Sequence, residues 1–287
     1  AVNVYLDSFI KGFETWTRAD GILHTQFTQC VTATGRLSST APNMQNAPKR
    51  GFPVRKAVVS RFENGTVVEA DFSSVEFVIC GELSRDTQII SDVINGKDLH
   101  KQTATIIHQC DVSEVTKEQR QSCKAHSFAP VFGSTGNLYE GHIKLYYTEF
   151  FKIYSFVLKN GIVQTPSGRQ FFWPNVKRTK GNRTTFYTQI VNYPVQSSAA
   201  DLMLLSCVRA FRKFKELKLK SLLVLTVHDS IVCDVYPGEL EQVKEALTWA
   251  MVGVTEEAAQ RWDYTFALPL EIEISGGKNW LEQNEYT

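Results

Sequence analysis

Two aspartates fall where a chain can present metal-binding carboxylates. Asp71 lies at the end of the β-branched run Thr66–Phe72, and Asp229 sits in the short step His228-Asp229-Ser230 between the apolar runs Leu222–Val227 and Ile231–Val235. Runs of this kind read as strands, and the step between the last two reads as a tight hairpin. If the strands lie side by side, two carboxylates meet at one sheet edge. Mg²⁺ takes hard oxygen ligands, often one or two carboxylates together with substrate phosphates. A pair of such ions can activate an attacking oxygen and stabilise a leaving one in phosphoryl transfer. The plainer alternative stays open, with Asp71 capping the next helix and Asp229 serving as a turn residue.

Cations form a second constellation. Arg120, Lys124 and Phe128 recur every fourth residue, so they line one face of a helix. Two cations and an aromatic ring on one face suit a triphosphate with a stacked base or sugar. A solvated basic stripe with Phe128 turned to the core fits the same spacing. His100, just after Lys97, opens another helix and could reach the same phosphates, although a lone histidine is more often structural.

These residues must be positioned by a mixed fold. Residues 22–28 alternate like a half-buried strand, and 34–50 read as a turn-rich loop. Helical patterning covers 75–84, 98–109 and 116–129, with Thr116 and Gln119 forming a capping-box start. Further helices are expected at 137–159, 197–218 and 239–261. A Gly/Pro-punctuated hairpin or loop with a basic patch is expected at 161–185, and a last strand at 268–274. The pattern predicts an α+β fold, a small antiparallel sheet backed by helices, with a mainly helical insertion in the middle of the chain.

The 287 residues are 43% hydrophobic and 21% charged, which excludes disordered and fibrous classes. The net charge of +1 hides an asymmetry. Residues 234–287 hold 11 acidic and 3 basic side chains, leaving 19 acidic and 28 basic in the rest. Basic clusters lie at 49–61, 177–183 and 212–220, consistent with a polyanion partner, although charge runs are commonly solvated faces. Six cysteines (30, 80, 110, 123, 207 and 233) show no metal or disulfide spacing and read as reduced thiols. No apolar run reaches membrane-spanning length and no secretory pattern opens the chain, so the expectation is a cytoplasmic protein with no membrane partner. A start at Ala1 is read as processing, trimming or excision from a longer chain.

Six segments, in order, resemble the polymerase portion of family A DNA polymerases, the DNA polymerase I type of bacteria and phages. TGRLSSTAPNMQNAP at 34–48 resembles the template-primer loop, and EADFSSVEFVICGELSRD at 69–86 the first catalytic motif. GKDLHKQTA at 96–104 resembles the segment with a phosphate-binding histidine, and RQSCKAHSFAPVFG at 120–133 the nucleotide-binding helix of the fingers. NYPVQSSAAD at 192–201 and VHD at 227–229 complete the set.

The resemblance implies a division into palm (1–84 and 191–287) and fingers (85–190), without a full thumb or exonuclease domain. It implies a template-directed DNA polymerase that adds a deoxynucleotide to a primer 3′-hydroxyl with release of pyrophosphate. Asp71 and Asp229, with the Phe72 carbonyl, would hold two Mg²⁺ ions, for which Mn²⁺ can substitute. Arg120, Lys124 and His100 would contact the triphosphate, Phe128 would stack near the sugar and base, and Phe132 would stand where the family usually has Tyr. Glu76 falls at the family's steric gate against the ribose 2′-hydroxyl. Arg36, Asn43, Gln45, Asn46, Gln196 and His228 would contact primer-template DNA, mostly without reading sequence.

The chain also departs from the pattern. Ser230 follows Asp229 where the family often has Glu, Thr188 stands where Arg is common, and Pro130 falls inside the expected fingers helix. With at most the end of a thumb in residues 1–20, low processivity is expected, or a second chain supplying thumb or exonuclease. These departures motivate an alternative, a weak or inactive primer-template-binding or assembly subunit. A single-subunit RNA polymerase is opposed by Glu76 and the 34–48 loop, and a metal nuclease leaves the cationic helix unexplained.

Overall fold

The computed structural model describes residues 9–49, 51–128, 155–177 and 185–286. In chain order the strands are β1 (Gln26–Thr28), β2 (Ser38–Thr40), β3 (Thr66–Phe72), β4 (Ile162–Gln164), β5 (Gln170–Phe172), β6 (Leu222–Val227), β7 (Ser230–Val235), β8 (Ile272–Gly277) and β9 (Asn284–Tyr286). The fold is α+β with small antiparallel sheets. The chain divides into two compact units, one of Ala1–Ser73, Ala200–Glu257 and Leu270–Thr287, the other of Ser74–Ala199 and Ala258–Pro269.

The first unit is built on a five-stranded antiparallel sheet in the order β6-β7-β3-β8-β9. The β-branched and apolar residues of β3 suit the central place, since both of its faces are covered. Val67, Val68, Glu69, Ala70 and Phe72 are buried, Thr66 is half-buried and Asp71 is exposed. The helix Leu240–Val252 packs against β8 and β3 through Val243, Ala246, Leu247, Ala250 and Met251. The other face is closed by a cluster of Phe9, Met44, Ala47, Val54, Val67, Val227, Val232 and Trp280. The 34–48 segment is ordered, holding β2 and a 3₁₀ turn at Met44–Asn46.

The sequence predicts one helix over 239–261, whereas two are observed, Leu240–Val252 and Val254–Trp262, separated at Gly253. The cause is Arg209. Its Nε and Nη2 donate to the carbonyls of Ala250 and Trp249, both at 3.0 Å, so those acceptors are capped from outside. A Cβ at 253 would come within 3.1 Å of the Arg209 guanidinium, so glycine suits the break.

The second unit is mainly helical, with helices Val75–Ser84, Thr87–Ile94, Leu99–His108 and Lys117–Phe128, the first part of Tyr187–Glu216, and the β4–β5 hairpin. The hairpin lies where the turn-rich 161–185 segment predicts it. Its Phe171 and Trp173 pack with Val157 and Ile190. The capping box forms as expected: Gln119 N–H donates to Thr116 Oγ1 and Thr116 N–H to Gln119 Oε1.

Further elements differ from expectation, and of the strand expected at 22–28 only Gln26–Thr28 forms. The helix Thr87–Ile94 was not anticipated, and Asp86 caps it by accepting the Ile89 N–H. The helix expected at 197–218 begins at Tyr187 and runs through Pro194, because burial of Ile190, Val191 and Val195 outweighs the lost donor. The strand expected at 268–274 starts at Ile272. Glu82 takes the N–H groups of Ala267 and Leu268, and Pro269 has none to offer, so that segment cannot enter the ladder. Most of the helix expected at 137–159, and the basic residues Arg178, Lys180 and Arg183, lie outside the described residues.

Candidate active site

β3 and the β6–β7 hairpin bring the two aspartates together. Antiparallel register sets Asp71 opposite Ser230, the residue after Asp229. Phe72 N–H donates to the Asp229 carbonyl at 3.1 Å, tying the end of β3 to the hairpin tip. His228 adopts a positive φ of 53° at that tip, as a two-residue hairpin loop requires. Asp229 Oδ1 accepts from Arg36 Nη2 at 3.2 Å.

Negative charge is crowded here. The surrounding protein, followed by repulsion from Glu69, Asp229 and Glu273, pushes the Asp71 carboxyl up to about 7, with Lys49 acting the other way. Burial lowers the His228 pKa, as do Arg36 and Arg55, against the pull of Asp229.

The donor set suits a divalent cation. Two acidic side chains stand at neighbouring positions at one end of the sheet, with Glu69 and Glu273 close by and Arg36, Arg55 and Lys49 as counter-charges. Among the described residues no three or more His, Cys, Asp or Glu converge as a complete ligand cage. That arrangement matches an ion held by one or two carboxylates and completed by substrate oxygens and water.

A separate cationic cluster lies in the second unit. Asp98 caps the helix Leu99–His108 by accepting the N–H groups of His100 and Lys101, each at 3.0 Å. Its other oxygen accepts from Arg120 Nε, which orients that guanidinium. Burial would raise the Asp98 carboxyl. The Arg120 hydrogen bond, the Lys101 N–H and the nearby charges outweigh it, so its pKa lies below the usual range. His100 is buried beside Lys124 and Arg120. Burial first, then these two cations, lower its pKa to about 4, so its ring is neutral at physiological pH.

The remaining expected site residues fall in both units. Glu76 is buried in the first turn of Val75–Ser84. Phe128 ends its helix, with its side chain outside the described residues, as are Phe132 and Pro130. Asn43 is occupied internally, accepting from Ser39 Oγ and from Asn46 N–H. Gln45 donates to the Thr226 carbonyl, while Asn46 is exposed and Gln196 half-buried in its helix. Arg36, Gln45 and His228 line a cavity of about 30 Å³ with Met203 and Thr226.

Sequence reasoning missed four contributors. Glu69 and Glu273 crowd Asp71, Lys49 offsets them, and Asp98 holds Arg120. Period-two alternation along β3 would have placed Glu69 on the Asp71 face, and Asp98 carries the ordinary signature of an N-cap.

The chain is similar to known proteins along nearly its whole length. The family model described as DNA polymerase family A matches residues 2–282. DNA polymerase I of Caldicellulosiruptor bescii is 33% identical, over 92% of this chain and 32% of its own length. The thermostable DNA polymerase I of Thermus thermophilus is 32% identical, over 92% of this chain and 33% of its own. A solved structure, the POL domain of Pol1 from M. smegmatis in complex with DNA primer-template and dNTP, superposes with a TM-score of 0.82 at 27% identity. It covers 96% of this chain and 51% of that one. The chain thus spans about a third of the length of the relatives it matches. With the six ordered motifs, the carboxylate pair on β3 and the β6–β7 turn, and a model match over nearly all of its residues, this chain belongs to DNA polymerase family A.

Proposed function

We infer that the chain extends a DNA primer on a template, transferring deoxynucleoside monophosphate to the 3′-hydroxyl and releasing pyrophosphate. One observation carries this reading: Asp71 at the end of β3 and Asp229 in the adjoining β6–β7 turn come together, with Glu69 and Glu273 near Asp71. Bound there, a pair of divalent cations supplies Lewis-acid stabilisation of the attacking and leaving oxygens. Asp71 and Asp229 would hold them, with the Phe72 carbonyl as a further ligand. Arg36 neutralises Asp229 when no cation is held.

The cationic cluster takes the triphosphate. Arg120 offers a planar fork already oriented by Asp98, Lys124 a point charge, and His100 a neutral ring whose N–H donates to a phosphate oxygen. Glu76 excludes the ribose 2′-hydroxyl, which makes the substrate a deoxynucleotide. Arg36, Gln45, Asn46, Gln196 and His228 are assigned to primer-template contacts. With both its hydrogen bonds turned inward, Asn43 shapes the loop that presents them.

Primer extension on a recessed template with Mg²⁺ and dNTPs tests this reading, beside Asp71→Asn and Asp229→Asn. Wild type extends, and each variant loses about a hundredfold to a thousandfold in rate, the scale for removing a key electrostatic group. Intact duplex binding with no extension by wild type would refute the enzyme reading in favour of a binding subunit.

A further inference from the structure

Glu69 is a buried carboxylate to which the reaction so far gives no task. Alternation along β3 puts Glu69 and Asp71 on one face, and Ser230 lies opposite Asp71 on the neighbouring strand. Ser230 Oγ donates to Glu69 Oε1 at 2.9 Å; the same hydroxyl lies 3.1 Å from the Val227 carbonyl, the longer and uncharged alternative. Trp280 Nε1 donates to Glu69 Oε2 at 3.1 Å, and Arg55 Nη1 stands 3.7 Å from that oxygen. Arg55 is shared, since its Nε donates to the Ala47 carbonyl and its guanidinium lies 4.0 Å over the Trp280 ring.

Glu69 is only 8% exposed, Ser230 2% and Trp280 1%. Burying an ion among them is costly even when it is paired, and apolar residues of similar volume often serve a core as well or better. The cost is intelligible if the charge is used. Ser230 follows Asp229 directly and stands where the resemblance places a glutamate. It is neutral, but it touches a carboxylate.

We propose that Glu69 is the positioning residue of the carboxylate pair. Through Ser230 it fixes the Asp229 turn against Asp71 and supplies the negative charge that position 230 lacks. This rests on the assignment of Asp71 and Asp229 as the metal-holding pair.

The test is Mn²⁺ binding to the full chain without DNA or nucleotide, read from loss of the free-ion electron paramagnetic resonance signal, with thermal melting alongside. Glu69→Gln keeps the shape and removes the charge. It is expected to weaken Mn²⁺ binding about tenfold, the lower end for partners standing behind metal ligands. The exchange variant Glu69→Ala/Ser230→Glu returns a carboxylate to the site and restores most of the affinity. Its neutral counterpart, Glu69→Ala/Ser230→Gln, stays weak. Ser230→Ala cuts the link without touching a charge, weakens binding by a smaller factor, and answers the question if the Glu69 variants fail to fold.

Wild-type binding by Glu69→Gln, or equal binding by the two exchange variants, overturns the proposal and leaves Glu69 as part of the Trp280–Arg55 packing. Wild-type binding by Ser230→Ala overturns it as well. Asp71→Asn and Asp229→Asn separate the two levels. If they abolish binding while Glu69→Gln does not change it, only this inference falls; if they retain binding, the functional reading falls with it.

Discussion

His100 offers a quantitative test of the cationic cluster. The side chain is 3% exposed, and burial with the neighbouring Lys124 and Arg120 charges lowers its pKa from 6.5 to about 4. The unfolded chain therefore takes up this proton near pH 6.5, whereas the folded chain takes it up only near pH 4. Between those values the unfolded state binds more protons, so stability falls as the pH drops and is intact above the window. The change is worth about 3 kcal/mol in full, and roughly 2 kcal/mol after solvent screening of the exposed parts of Lys124 and Arg120. The assay is urea unfolding of the wild type and of His100→Gln, which cannot titrate, at neutral pH and at about pH 4.5. Carboxylates lose stability in acid in both proteins, so the difference isolates the imidazole. The wild type should lose roughly 2 kcal/mol more than the variant. Parallel losses, or an imidazole that titrates by NMR near its ordinary value, would refute the placement of His100 against the two cations.

Three further outcomes follow from the packing. A Cβ on Gly81 would collide with Ile89, so Gly81→Ala should cost about 1–3 kcal/mol in chemical denaturation. Arg209 caps two helix-end carbonyls and pairs with Glu257 at 3.0 Å, and Arg209→Met should lower stability by about 2 kcal/mol, chiefly by leaving those carbonyls uncapped, since Glu257 keeps Arg212 at 3.4 Å. Burial, together with Glu82 and against Arg85, raises the Tyr264 hydroxyl to about 12. Glu82→Gln should bring it back toward its ordinary value in an ultraviolet titration, and an unmoved value would contradict the contact.

Legibility followed the range of the interaction. β3 and the helix Val75–Ser84 show in the sequence because composition and period fix them locally, and the Thr116–Gln119 box shows because its partners are three residues apart. Thr87–Ile94 was open to reading as well, from Asp86 as cap and Ile89 and Val93 one turn apart. The break at Gly253 and the late start of β8 were not, since each depends on a side chain far away in sequence, Arg209 and Glu82. The candidate site divides in the same way. Asp71 and Asp229 stand out by residue type and turn position. The place of Glu69 depends on a register fact, that Ser230 lies opposite Asp71, and the Arg36–Asp229 ion pair joins residues 193 positions apart.

The central place of β3 also governs the order in which the chain can fold. Both ladder neighbours of this early strand, β7 and β8, come from 230–235 and 272–277, so every hydrogen bond it makes along its edges closes a loop of well over a hundred residues. Contacts of that range are slow to form, because chain entropy must be lost before the ladder repays it. During synthesis, Thr66–Phe72 must therefore wait with both edges unpaired while the mainly helical second unit emerges from the ribosome. A β-branched, apolar strand in that position is prone to aggregation. Glu69 and Asp71 place two charges within it, and charges inside such a segment oppose premature strand pairing.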